Sequence, residues 1–144
     1  MDNSVEWIRK ARVPGGDALP LFITAVQAGF PSPADDYIDR TLDLNELLIR
    51  HPAATFFIRA AGDSMKGAGI TSGDILIVDR SEKPRSGSII IAVIDGELTV
   101  KRLVKNGNTV SLVPENPEYK TIEISPESGF EVWGVVIHVI HTVD

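Results

Sequence analysis

From about residue 55 onward, short apolar runs alternate with turn-forming residues, which is the pattern of β-strands joined by tight connections. Asp95-Gly96 lies between two of these runs and is a strong signal for a two-residue hairpin. The runs predict strands at residues 55–59, 75–78, 88–94, 97–104, 109–113, 120–124 and 131–139. This part of the chain is therefore expected to form a mainly β, antiparallel domain.

A short helix is the other element that the pattern predicts. Leucines recur at helical spacing in residues 44–48. Asp43 can cap the N-terminus of this helix, and Glu46 follows three residues later, as in a capping box. Pro52 should end the helix, because the residue before a proline avoids helical backbone angles.

The first 28 residues have a different pattern. Prolines and glycines at positions 14–20 interrupt any long element, and an apolar cluster at 21–26 could add to a sheet edge or lie in a groove. Residues 31–37 contain two prolines and are typical of an extended or turning link. We therefore expect an extended and only partly ordered N-terminal arm.

The composition is that of one globular domain: 144 residues, 43% apolar and 24% charged. The absence of cysteine excludes disulfides, thiol nucleophiles and thiolate metal sites. A net charge of −6 argues against broad electrostatic binding to nucleic acid, which requires a basic surface. The negative excess falls in residues 29–144, because acidic and basic side chains cancel in the first 28.

No apolar run approaches the length of a membrane span, and residues 1–10 lack the apolar stretch of a signal peptide. We expect a soluble, cytoplasmic protein.

A loop rich in glycine and alanine separates the predicted strands at 55–59 and 75–78, and it contains Ser64 directly after Gly62-Asp63. A serine at the start of a helical turn can act as a nucleophile, with nearby backbone N–H groups as oxyanion donors. The alternative is that Ser64 is an N-cap residue in an ordinary connecting loop. The residues alone leave both interpretations open.

A serine nucleophile needs a base, and the histidines offer little support for one. None of His51, His138 and His141 pairs convincingly with a carboxylate in the sequence, and the last two fall on opposite faces of a strand, which argues against a shared metal site. A lysine is the other possible base, provided that its amine is neutral, a state that burial favours. By alternation, however, Lys101 falls on the polar face of its strand, which predicts a solvent-facing side chain.

Six segments stand out between about residues 21 and 140: FPSPA at 30–34, DLNELLI at 43–49, GDSM at 62–65, GDILIVD at 73–79, TVKRL at 99–103 and GVVIH at 134–138. In order and spacing these segments resemble the LexA/UmuD family of self-cleaving Ser-Lys peptidases, and in particular its UmuD branch, the self-cleaving subunits of the error-prone DNA polymerase V.

The resemblance implies a compact antiparallel β domain of the LexA/UmuD C-terminal type, with one or two short helices and an extended N-terminal arm. It implies that Ser64 is the nucleophile and Lys101 the general base, in a cleft rather than in bulk water. Ser64 and Met65 would support the oxyanion. No cofactor and no metal are implied.

The resemblance also implies the substrate, which is the chain's own N-terminal arm. The family cleaves this arm before a glycine, and Ala28-Gly29 stands at that place. Residues 1–28 would then be a cleavable arm, and residues 29–144 the peptidase and polymerase-subunit domain.

The partners are implied as well. In the family, RecA filaments on single-stranded DNA stimulate the cleavage during the SOS response, and the trimmed homodimer joins UmuC for translesion DNA synthesis. Other replication polymerase subunits are further possible partners, whereas direct sequence-specific DNA binding and a membrane are not expected.

Other functions remain to be weighed. The main alternative is a non-proteolytic accessory or binding subunit of a polymerase. A LexA-type repressor would need a DNA-binding domain, which a 28-residue arm interrupted by proline and glycine does not provide. A signal peptidase would need a membrane anchor.

Overall fold

The computed structural model describes residues 4–11, 19–22 and 38–143. These residues fall into two compact units: residues 4–11 with 53–143, and residues 19–22 with 38–52. The elements in chain order are β1 (Ser4–Lys10), β2 (Leu19–Phe22), β3 (Ile38–Leu42), α1 (Leu44–Leu48), β4 (Thr55–Ala61), β5 (Ile75–Asp79), β6 (Ile89–Ile94), β7 (Glu97–Asn106), β8 (Thr109–Val113), β9 (Ile122–Ile124) and β10 (Phe130–Ile140). Single 3-10 turns occupy Pro52–Ala54 and Lys66–Ala68.

The larger unit is an eight-stranded antiparallel sheet in the order β1-β4-β5-β10-β6-β7-β8-β9. An additional pairing joins β1 to β7 at Ser4 and Thr99, so six of the strands close into a ring from which β8 and β9 continue. Closure gives the edge strands of the ring a partner on both sides, which removes free edges. The expected fold class, a mainly antiparallel β domain with few short helices, is confirmed.

The predicted strands are all present, with bounds that differ by up to two residues from those the pattern gave. The β6–β7 hairpin turns at the predicted dipeptide, where Asp95 has φ 50° and Gly96 has φ 83°. Positive φ at both positions belongs to the turn type that matches the twist of the flanking strands. Strands β1, β2 and β3 were not predicted as strands, although β2 overlaps the apolar cluster at 21–26 that was expected to be able to add to a sheet edge.

Two apolar clusters form the core of the larger unit. One gathers Ile58, Leu76, Ile91 and Val100 around Met65, all fully buried. The other lies between β6, β7, β8 and β10 and contains Ile90, Ala92, Leu103, Leu112 and Val135. The first cluster holds the loop that follows β4, and that loop carries the candidate nucleophile.

The smaller unit pairs β2 with β3 in a two-stranded antiparallel sheet that precedes α1. The predicted capping of α1 is confirmed: the Asp43 side chain accepts a hydrogen bond from the Asn45 backbone N–H at 2.9 Å. Leu44 and Leu47 remain 48% and 54% exposed, so the predicted apolar stripe of this helix is not buried. Part of the predicted apolar cluster, residues 23–26, and the link at 31–37 lie outside the described residues.

None of the helices in the described part of the chain is long and apolar enough to cross a membrane.

Candidate active site

The candidate nucleophile lies in the loop that leaves β4. Gly62 has φ 90°, a left-handed conformation that lets the chain turn sharply at the end of the strand. Ser64 and Met65 follow, and both are 0% exposed. Because Met65 belongs to the apolar core cluster, it anchors the backbone of Ser64 from the C-terminal side.

Backbone hydrogen bonds fold the rest of this loop into a tight turn. The N–H of Lys66 donates to Asp63 O at 3.2 Å, and the N–H groups of Ala68 and Ile70 donate to Met65 O at 3.0 and 3.3 Å. Local bonds of this kind fix the path of the chain over a few residues. The position of Ser64 is therefore set by its own loop as well as by the core.

Lys101 lies in the middle of β7, which pairs with β6 on one side and β8 on the other. The side chain is 1% exposed, and its Nζ atom lies 3.4 Å from Ser64 Oγ. Nζ also donates to Thr99 Oγ1 at 3.2 Å; Thr99 precedes Lys101 by two residues and shares its face of the strand. The fold thus brings together two buried side chains that are 37 residues apart in the chain.

A second loop, between β8 and β9, holds the Ser64 loop in place. The Asn116 side chain donates to Asp63 O at 2.9 Å, and the Tyr119 hydroxyl donates to Asp63 Oδ1 at 2.5 Å. On the other side of Ser64, the Gly67 N–H donates to Glu115 O at 2.8 Å. A Cβ atom at position 67 would lie 2.6 Å from Glu115 O, so only glycine allows this close approach.

The hydrogen bond from Tyr119 also affects the charge of the loop. The pKa of the Asp63 carboxyl lies below its ordinary value, chiefly because Tyr119 donates to the carboxylate and so stabilises the ionised form. Among the described residues, every buried side-chain N or O atom has a hydrogen-bond partner. The polar side chains around Ser64 are therefore all hydrogen-bonded, in a Lys101 group and an Asp63 group.

The buried Ser64–Lys101 pair lies in a part of the chain that matches a known protein family. The Peptidase S24-like family matches residues 20–137. The chain belongs to the Peptidase S24-like family. The match covers both the Ser64 loop and the strand that carries Lys101.

Known proteins with similar sequences agree with this Peptidase S24-like assignment. Protein ImpA of Salmonella typhimurium is 52% identical over 132 residues, with 89% of each chain covered. Protein MucA of Escherichia coli is 43% identical over 122 residues, which are 84% of this chain and 83% of MucA. The LexA repressor of Photorhabdus laumondii is 42% identical over 123 residues, which are 85% of this chain and 60% of the repressor.

These matches confirm the resemblance to the LexA/UmuD family. Membership of the Peptidase S24-like family supports a serine peptidase that cleaves itself. The assignment of roles to Ser64 and Lys101 rests on the distance between them and on their burial.

Two interpretations made from the local pattern are wrong in this Peptidase S24-like protein. Lys101 is not on a solvent-facing side of its strand, because the Ser64 loop covers that side. Ser64 is not the N-cap of the following 3-10 turn, since Met65 holds that position and makes no side-chain capping bond. The error at Lys101 arises because alternation describes one strand and takes no account of a loop folded onto it, and the error at Ser64 is a shift of the turn by one residue.

A third correction concerns the histidines. His141 does meet a carboxylate: its Nδ1 atom lies 2.6 Å from Asp74 Oδ1 and 3.2 Å from Thr71 Oγ1. No local pattern indicates this contact, because the two residues are 67 positions apart.

The structure brings Ser64, Met65 and Lys101 together, as expected, whereas Ala28 and Gly29 lie outside the described residues. Sequence reasoning missed Thr99, Asn116 and Tyr119. For Asn116, the sequence does contain a signal, since the residue lies between two prolines. Prolines restrict the backbone and favour a turn, and asparagine often makes hydrogen bonds within a turn.

Proposed function

We propose that this protein cleaves its own Ala28–Gly29 bond, with Ser64 as the nucleophile and Lys101 as the general base. One observation carries the proposal: Lys101 Nζ lies 3.4 Å from Ser64 Oγ, and both side chains are almost completely buried. A base must lie within hydrogen-bond reach of the proton that it removes, and this pair is at the outer limit of that reach.

The chemistry is acyl transfer. Neutral Lys101 Nζ accepts the proton of Ser64 Oγ as that oxygen attacks the carbonyl carbon of Ala28. Backbone N–H groups at Ser64 and Met65 would stabilise the oxyanion of the tetrahedral intermediate. The intermediate collapses when the Ala28 C–Gly29 N bond breaks and the Lys101 ammonium donates its proton to the leaving amine. Water then hydrolyses the Ser64 ester, again with Lys101 as base.

The proposed bond suits this geometry. Alanine and glycine are the smallest residues, so the backbone at this bond can approach a buried nucleophile without a steric barrier. The family match begins at residue 20, upstream of the bond, and so includes it. The products would be a 28-residue arm and a domain of residues 29–144.

We further propose that the protein acts in the SOS response. RecA on single-stranded DNA would stimulate the cleavage by favouring the pose in which Ala28–Gly29 lies over Ser64, a shift between conformations already accessible to the chain. The trimmed homodimer would then join UmuC for translesion synthesis. The net charge of −6 supports a protein that reaches DNA through partner proteins rather than directly.

The deciding experiment uses the purified full chain with RecA, single-stranded DNA and a nucleotide. We expect a fragment that starts at Gly29, identified by N-terminal sequencing or mass spectrometry. Ser64→Ala and Lys101→Ala should remain intact yet folded by circular dichroism. A wild-type chain that stays whole, while a LexA control is cut in the same tube, would leave the non-proteolytic accessory subunit as the better reading.

The rate of RecA-free self-cleavage should rise between about pH 7 and pH 10, because only the neutral form of the Lys101 amine can accept the serine proton. Fragment formation over time at a series of pH values measures this. A flat profile would contradict the assignment of Lys101 as the base.

A further inference from the structure

The loop of residues 114–121, between β8 and β9, contacts the Ser64 loop on both sides of the nucleophile. Before Ser64, its side chains bond to the carbonyl and the carboxylate of Asp63. After Ser64, its backbone bonds to Gly67. A loop that only connected two strands would have no need for contacts at three points around one residue.

Asn116 makes the central contact. It is 4% exposed, and its Nδ2 atom donates to Asp63 O at 2.9 Å. Its Oδ1 atom accepts from the Glu118 N–H at 3.0 Å, so the amide is held at both ends. The Tyr119 N–H donates to Asn116 O at 3.1 Å, which fixes the backbone of the residue as well. The side chain therefore has little freedom to leave Asp63.

The hydrogen bond from Asn116 to Asp63 O acts on the peptide unit that joins Asp63 to Ser64. A trans peptide is planar, and its C=O and N–H point in opposite directions. Because Asn116 draws the Asp63 carbonyl toward itself, the Ser64 N–H is directed to the other side. The Cα atom of Ser64 lies in the same plane, so one hydrogen bond orients the proposed oxyanion donor and fixes the point from which the proposed nucleophile extends.

We propose that Asn116 is a positioning residue for self-cleavage: it locks the Asp63–Ser64 peptide in the orientation that the attack requires. This inference rests on the proposed function. The Lys66 N–H also donates to Asp63 O, at 3.2 Å, so loss of Asn116 loosens the peptide without releasing it. A loss of about tenfold in cleavage rate is the expected scale for a small misplacement of reacting groups.

The test compares Asn116→Ser with wild type and with Asn108→Ser, as full-length chains. A serine at position 116 is too short to reach Asp63 O but can still accept the Glu118 N–H, as serine does in such turns. Asn108 is exposed in the β7–β8 turn and serves as the matched control. The measurements are the RecA-free cleavage rate from about pH 7 to pH 10 at two temperatures, and the melting temperature.

We expect Asn116→Ser to cleave about tenfold more slowly at every pH and at both temperatures. The midpoint of its pH profile should match that of wild type, because the Ser-Lys proton transfer itself is retained. A purely structural role would instead lower the melting temperature, and cooling would then restore the wild-type rate. A rate within twofold of wild type, a shifted midpoint or recovery on cooling would each overturn the inference.

If Asn116→Ser does not fold, Asn116→Asp takes its place, since it keeps the acceptor for the Glu118 N–H and puts a carboxylate oxygen where the donor to Asp63 O stood. Failure of both variants to fold would assign Asn116 to stability and overturn the inference. If the wild-type and Asn108→Ser chains both stay uncleaved, the proposed function is wrong, and the inference that rests on it is wrong as well. Slow cleavage by Asn116→Ser alone therefore supports the inference and the proposed function together.

Discussion

At the scale of single residues, the site depends on polar side chains that the fold removes from water. Lys101 is among the largest fully buried side chains of the described residues, and an amine in such a place needs partners. Ser64 Oγ and Thr99 Oγ1 are two of them, at 3.4 and 3.2 Å. Thr99 thus limits the positions that Lys101 Nζ can take in front of Ser64.

Replacing Thr99 with valine should slow self-cleavage about tenfold, because valine keeps the shape but removes the oxygen that orients Lys101 Nζ. Cleavage of full-length chains at alkaline pH measures the effect, with circular dichroism as the check on folding. Thr109→Val, at the exposed start of β8, is the matched control and should cleave at the wild-type rate. Equal rates for Thr99→Val and wild type would show that Lys101 is oriented by other contacts.

At the scale of elements, β10 joins β5 to β6 and so holds the middle of the sheet together. Its register with β6 shifts between Val132 and Gly134, which is a β-bulge. A Cβ atom at Gly134 would lie 2.6 Å from Val78 Cγ1, in the fully buried part of β5. The absence of a side chain at this position lets the two strands approach each other.

Gly134→Ala should therefore lower the free energy of unfolding by about 1–3 kcal/mol, the usual cost of overpacking a core. Urea denaturation measures it. Glu131→Ala, at an exposed position of the same strand, should stay within about 0.5 kcal/mol of wild type. A Gly134→Ala chain as stable as wild type would mean that β10 and β5 can separate at little cost.

At the scale of the whole molecule, a hydrogen-bonded contact between His141 and Asp74 joins the end of β10 to the turn before β5. Asp74 is 3% exposed, and it accepts hydrogen bonds from the backbone and hydroxyl of Thr71 while His141 contacts the same carboxylate. Burial by itself raises the pKa of Asp74, but the bonds from Thr71 and His141 outweigh it and the pKa lies below its ordinary value. The ionised form is thus favoured more in the folded chain than in the unfolded one.

A lowered pKa in the folded state makes the contribution of Asp74 to stability fully present above its unfolded value of about 3.9, and lost as the pH falls through the folded value. Asp74→Asn should therefore be less stable than wild type at pH 7, and the difference should shrink below about pH 4. Urea denaturation at both pH values measures it. A difference in stability between Asp74→Asn and wild type that stayed the same at both pH values would contradict the assignment.

The sequence by itself determined the class of the fold and the chemistry available to it. Alternation and turn residues located the strands from β4 to β10, Asp43 capped α1, and the absence of cysteine excluded a thiol nucleophile. These features are local, because a strand, a cap or a tight turn is set by residues a few positions apart.

Only the tertiary structure decided what surrounds Ser64, the proposed nucleophile. Lys101 meets Ser64 across 37 residues, Asn116 meets Asp63 across 53, and β1 closes the ring against β7 from the far end of the chain. Alternation along one strand cannot report such contacts, because burial of a side chain depends on which loop lies over it. For Lys101 that difference separates an ordinary surface charge from a buried amine held beside a serine hydroxyl.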